Sequence, residues 1–214
     1  MTMRRLSIVL AVTLGLGCSA AFAATMSVGT WHLWAGSQTL TKSQCTVTGA
    51  TDTYSDELHP TANNSAATTL AVQPDANKRQ WIYLQFDLTA CNIPTSGGAD
   101  SATLTLFEST APKNASRTLT LSPVQSTWAA NLPFATALAL TYGTSTASFA
   151  TGTTSNVAVP ITVTADVDFF IKVPSTSFGW RISDGSASTT FDQAVFNSSE
   201  AAANKPQLVI NYEK

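Results

Sequence analysis

The stretch Gln80–Leu88, QWIYLQFDL, alternates without a break. Ile82, Leu84, Phe86 and Leu88 fall on one side, and Trp81, Tyr83, Gln85 and Asp87 on the other, the period of a pleated strand with one face in a core. The same pattern returns in Ala102–Leu106, Leu119–Leu121, Val157–Val163 and Leu208–Tyr212. Turn formers separate these runs: Asn63–Ser65, Pro94–Gly98, Pro112–Asn114, Asp184–Ser186 and Asn204–Pro206. Only Asp166–Val173, DVDFFIKV, has the spacing of a short helix, and Pro174 ends it. Ala135–Asn156 reads as a long loop or a weak edge hairpin. The expected fold is all-β: a single-domain jelly-roll β-sandwich of about ten strands with at most one short helix.

Met1–Ala23 has the layout of a secretory signal peptide, with Arg4 and Arg5, an apolar run from Leu6 to Leu16, and Ala21-Phe22-Ala23 before Ala24. An acylated Cys18 is disfavoured, because Gly15-Leu16-Gly17 puts Gly where a lipobox has Leu. No run is long enough to span a bilayer, so membrane insertion is not expected. Export to an oxidising compartment leaves Cys45 and Cys91, which are expected to form one disulfide. Two of the 11 basic residues precede Ala24, leaving nine against 13 acidic residues and a formal charge of −4. That balance argues against nucleic acid as a partner.

The motifs follow one another in a telling order: DTY at Asp52–Tyr54, the Asn-rich turn Asn63–Ser65, Leu70, RQWIYLQFDL at Arg79–Leu88, SATLTLF at Ser101–Phe107, ITVTADV at Ile161–Val167, GWRI at Gly179–Ile182, FNSSE at Phe196–Glu200 and KPQLVINY at Lys205–Tyr212. This order resembles the DNRLRE-domain group, which overlaps carbohydrate-binding module family 96, over about residues 50–214. The resemblance implies a secreted, non-catalytic jelly roll associated with polysaccharide-active enzymes. It divides the chain into a signal peptide (1–23), an N-terminal extension (24–50) read as an added strand, and the module proper (51–214). Two departures stand out: Asn-Asn-Ser replaces the usual Asn-Tyr-Gly, and the acidic balance argues against carrying over the acidic alginate that characterised members bind.

Sugars stack their C–H faces on aromatic rings while polar neighbours bind their hydroxyls. The face of Gln80–Leu88 opposite the aliphatic row offers Trp81 and Tyr83 beside Lys78 and Arg79, the expected ligand platform. Arg181 next to Trp180 repeats the aromatic-basic pairing, and Tyr54 and His59 flank the Asn-rich turn. Trp128 and Trp180 themselves are expected to pack inward. His32 and His59 are the chain's two imidazoles, and no HExxH, CxxC or Gly-x-Ser-x-Gly motif accompanies them, so no catalysis is expected. Asp52, Asp166 and Asp168 carry the oxygen ligands a structural calcium takes, but strand-end capping is the preferred role and no cofactor is expected.

The polysaccharide reading has one rival. GTWHLWAG at Gly29–Gly36 alternates like a strand, and the expected disulfide tethers only the segment that follows it. It is expected to add a strand to the sandwich, with a sugar platform built on its aromatic residues as the second reading. Alternatively it pairs with an edge of a second copy, giving a structural surface or matrix protein that assembles into filaments.

Overall fold

The computed structural model describes residues 41–74, 77–114, 116–186 and 192–213. The expected signal peptide, residues 1–23, and GTWHLWAG lie outside these residues. The described chain is a β-sandwich of eleven strands in two antiparallel sheets.

Sheet A holds β1 (Lys42–Val47), β11 (Gln207–Glu213), β5 (Ser101–Thr110), β10 (Ala194–Asn197) and β3 (Thr69–Val72) in that order, with β8 (Val157–Thr162) on the other edge of β5. Sheet B runs β2 (Ala50–Asp56), β4 (Gln80–Phe86), β9 (Trp180–Asp184), β6 (Thr118–Pro123), β7 (Ala147–Ala150). Apart from β6 to β7 and β10 to β11, each strand is followed by one in the other sheet, as the jelly-roll reading requires. The expected loop or hairpin at Ala135–Asn156 resolves into an edge strand, β7, paired with β6.

Alternation is realised as expected. Ile82, Leu84 and Phe86 of β4 meet Leu104, Leu106, Leu208 and Ile210 of sheet A in one apolar core. Fully burying each such side chain stabilises the fold by roughly 1.5–3 kcal/mol. Gly179 makes the start of β9 possible, because its φ is +73° and a Cβ there would lie 2.1 Å from the Leu84 carbonyl oxygen.

Helix α2 (Thr164–Lys172) covers one end of this core with Val167, Phe170 and Ile171, and Pro174 follows it directly. A single helical turn, α1 (Phe134–Ala137), lies in the long connection from β6 to β7. Cys45 of β1 and Cys91, in the 3-10 turn after β4, form the expected disulfide across 46 residues of sequence. Closing a loop of that size is worth about 4 kcal/mol in the chain-entropy description. No helix among the described residues is long and apolar enough to cross a membrane.

Candidate functional site

Because side chains alternate, the register of sheet B decides which candidates share a face. Trp81 stands opposite Ser55, and Tyr83 lies between Thr53 and Arg181, with Ser122 beyond. All of these point away from the main core. Asp52, Tyr54 and Asp56 occupy the other register positions of β2, beside Leu84, Ile82 and Gln80, and so face inward.

Trp81 is the centre of the outward cluster. Its ring lies 5.0 Å from that of Phe134, and the guanidinium carbons of Arg79 and Arg181 sit 5.3 and 5.1 Å from its centroid. Both distances are within cation–π range. Arg79 is held from behind by Glu57 in a two-pronged ion pair, Nε to Oε2 at 2.9 Å and Nη2 to Oε1 at 2.7 Å. That pairing draws the Glu57 carboxyl below its ordinary range and raises Arg79. Arg181 is placed differently, with its guanidinium carbon 3.9 Å from the centroid of the Tyr142 ring. Among the described residues no carboxylate pairs with it, and its buried Nε has no hydrogen-bond partner. The cluster thus joins one guanidinium fixed by an acid to another fixed mainly by rings.

The platform departs from the sequence expectation at Tyr83. The face is the one expected, but it is not open: Tyr83 is 0% exposed, roofed by the connection that carries Val124, Trp128, Leu132 and Ala137. Its hydroxyl meets that of Tyr142 at 2.8 Å, and burial pushes both phenols up. Tyr83 is therefore a support under the site, unable to stack a sugar itself. Tyr54 is a second correction, since its half-buried ring packs against the main core on the opposite side of the sheet. His59 is exposed and held by Asp56 through Nδ1 at 3.0 Å, with Asp56 also accepting from Gln80 Nε2 at 3.2 Å. Lys78 is exposed in the turn leading into β4. Trp180 is buried and Trp128 half-buried, as expected, each donating its indole N–H: to Asp166 Oδ2 at 2.7 Å and to the Phe178 carbonyl at 2.7 Å.

Strand-end capping does not describe the three aspartates. Asp166 and Asp168 lie on α2, where Asp166 anchors Trp180 and Asp168 pairs with Lys172 at 2.8 Å. Asp52 is buried in β2 and receives the Ser199 N–H at 2.7 Å, tying the connection after β10 to sheet B. Burial raises its pKa to about 7. Among the described residues no three His, Cys, Asp or Glu side chains gather as metal ligands.

Phe134 and Tyr142, which complete the cluster, were not among the sequence candidates. Their signal was present: Val124, Trp128, Leu132, Phe134, Leu140 and Tyr142 make this connection too apolar to lie free in solvent.

A chain with this sandwich and this aromatic-basic cluster matches one family model, that of carbohydrate-binding module family 96, over residues 43–212. The chain belongs to carbohydrate-binding module family 96. The match reaches into all eleven strands, β1 included, and holds both Cys45 and Cys91, so the disulfide joins two parts of the module itself. No curated protein is significantly similar to the chain. Membership makes carbohydrate binding the role of this fold and points to holding a ligand rather than converting it.

Proposed function

We propose that the chain is a secreted, non-catalytic module that holds extracellular or cell-surface polysaccharide at the outer face of sheet B, with Trp81, Arg79 and Arg181 in contact with the ligand. The observation that carries this reading is Trp81 set between two guanidinium groups, each already held in place. An indole offers apolar surface to the C–H face of a sugar, while guanidinium N–H groups donate to hydroxyl, ring or acidic oxygens. Glu57 and Tyr142 restrain the two arginines before any ligand arrives, which lowers the ordering cost of binding. Lys78 extends the basic rim, and His59 is a more distant contributor, held on the Asp56 side of β2. The buried Tyr83 positions the cluster through Tyr142. Family membership and the lack of any catalytic motif support binding without turnover.

The test is a pull-down of the purified chain with neutral and acidic polysaccharides, with Trp81→Ala beside it. At least one polysaccharide is expected to bind saturably and to lose tenfold or more in affinity in the variant, whose circular dichroism stays that of the parent. Binding that survives Trp81→Ala unchanged, or no binding to any member, overturns the assignment. Export is checked separately by expressing the chain with residues 1–23 and determining whether the secreted product starts at Ala24. The rival assembly reading rests on Gly29–Gly36, outside the described residues.

A further inference from the structure

A second surface has the makings of a carbohydrate site, and it is built from different chemistry. Helix α2 buries Asp166, Val167, Phe170 and Ile171, yet Phe169 stands 52% exposed on its solvent side. An amphipathic helix places polar residues there, so a large exposed ring is a departure from its own pattern. Beside Phe169 lies a cleft of about 350 Å³, between α2 and the segment leading into β7, lined also by Asp166, Gln125, Thr144, Thr146 and Thr176. That volume is at the small end of ligand sites and suits a short stretch of a glycan rather than a protein element.

Asp166 is the buried carboxyl of the cleft. It is 7% exposed, and its Oδ2 is saturated by Trp180 Nε1 at 2.7 Å and Thr146 Oγ1 at 2.6 Å. Among the described residues nothing donates to Oδ1. The carboxyl is therefore locked in orientation by one oxygen, and the other is left without a donor in a residue that lines the cleft. Among the described residues no Lys or Arg lines the space, and the nearby Lys172 of α2 is engaged by Asp168 at 2.8 Å. An acidic sugar would meet a carboxyl there with no cation to offset it; a neutral sugar would supply hydroxyl donors to Asp166 and bond to the Gln125 amide and Thr144 hydroxyl.

We propose that this cleft is a second glycan subsite, selective for neutral sugar residues, in which Phe169 stacks on a ring face and Asp166 accepts from its hydroxyls. The proposal rests on the reading of the module as polysaccharide-binding, but not on Trp81 as the place where that happens.

The experiment is an NMR titration of the purified chain with cellohexaose, xylohexaose, mannohexaose and laminarihexaose, and with an oligogalacturonate as the acidic probe, following the ring signals of Phe169 and the indole of Trp81. At least one neutral oligosaccharide is expected to shift Phe169 saturably, with the oligogalacturonate leaving it unmoved. Phe169→Ala is expected to weaken that binding tenfold or more, Phe169→Tyr to keep it within about twofold, and Trp81→Ala to leave the Phe169 response in place. Because Phe169 is exposed, these variants fold as the parent does. Silence of Phe169 toward every neutral probe, or an affinity unchanged by Phe169→Ala, overturns the subsite. If Trp81 responds in that same titration, the sheet B assignment stands without it; if Phe169 responds and Trp81 does not, the subsite stands and the sheet B assignment falls.

Discussion

The two faces of β4 carry neighbouring residues of one short strand to opposite ends of the molecule's chemistry. Inward, Ile82, Leu84 and Phe86 enter a core of aliphatic and aromatic carbon shared by both sheets. Outward, Trp81 and Tyr83 enter a smaller layer in which nearly every ring has a polar partner: Tyr83 with Tyr142, Trp128 with the Phe178 carbonyl, Trp81 with two arginines. The inner layer is stabilised by removing surface from water, which favours any well-packed apolar shape. Among the described residues the outer layer is covered by a one-turn helix and its flanking connection, so its groups are oriented by directional contacts, and Trp81 at its edge stays half exposed. The difference teaches that a strand's core face supplies stability and its covered outer face supplies a pre-arranged surface.

The comparison is most severely tested by Asp52, the more deeply buried of the two carboxyls on the inner face of β2. Asp52 is 2% exposed with Oδ1 unpartnered, and burial raises its pKa from 3.8 to about 7. Between pH 4 and 7 the unfolded chain has released this proton and the folded chain has kept it, so stability falls as pH rises through that window and levels above it. The contribution is on the order of 4 kcal/mol at most. Asp52→Asn, which retains an acceptor for the Ser199 N–H, is expected to remove this slope and to be the more stable protein at pH 8. Urea denaturation of both proteins at pH 5, 6 and 8 measures it, and parallel pH profiles would show that Asp52 is not the titrating group.

A core truncation comes next. Leu84→Ala is expected to cost about 3 kcal/mol, because the two packed sheets cannot collapse into the space left. Polysaccharide affinity of the fraction still folded should be unchanged, as calorimetry below the unfolding transition would show. A large loss of affinity at constant fold would mean that the two layers are coupled more tightly than their contacts indicate.

Tyr83→Phe removes only the hydroxyl bond to Tyr142 and is expected to cost about 1 kcal/mol. Since Tyr142 supports Arg181, affinity should fall several-fold along with stability, and a drop in stability with affinity untouched would make Tyr83 an ordinary buried residue. Smallest is Glu57→Gln, which weakens a partly exposed pair with Arg79 and is expected to change stability by less than about 1 kcal/mol. Its effect on binding, about two- to threefold through a less restrained Arg79, reads how much the fixing of that side chain matters.

Much of the fold was legible because a strand writes its two faces into consecutive residues. Gln80–Leu88 showed which side chains would meet the core, and the match of Cys45 with Cys91 followed from there being one pair to make after residue 23. The site was half legible. Trp81 and Arg79 were recognisable by type and by the alternation of β4, Arg181 by its pairing with an aromatic neighbour, and the three do come together. Tyr83 looked equivalent to Trp81 two residues away, and nothing local distinguishes them. What separates them is a connection some forty residues further on, folded back over Tyr83 but leaving Trp81 half exposed. Tyr54 sits beside the Asn-rich turn in sequence, but its own alternation in β2 points it inward.

By itself the sequence determined that the chain is built of strands, which face of each strand is apolar, where the one short helix lies, and that its motifs are those of a carbohydrate-binding module. These follow from periodicity and from residue type, both carried by short stretches of chain. Only the tertiary structure decided which aromatic ring on the outer face would be covered, which arginine would find an acid and which a ring, and that Asp52 and Ser199 would meet across 147 residues. Those outcomes depend on packing between segments far apart in sequence, where excluded volume and hydrogen-bond geometry choose among partners that the local pattern leaves equivalent.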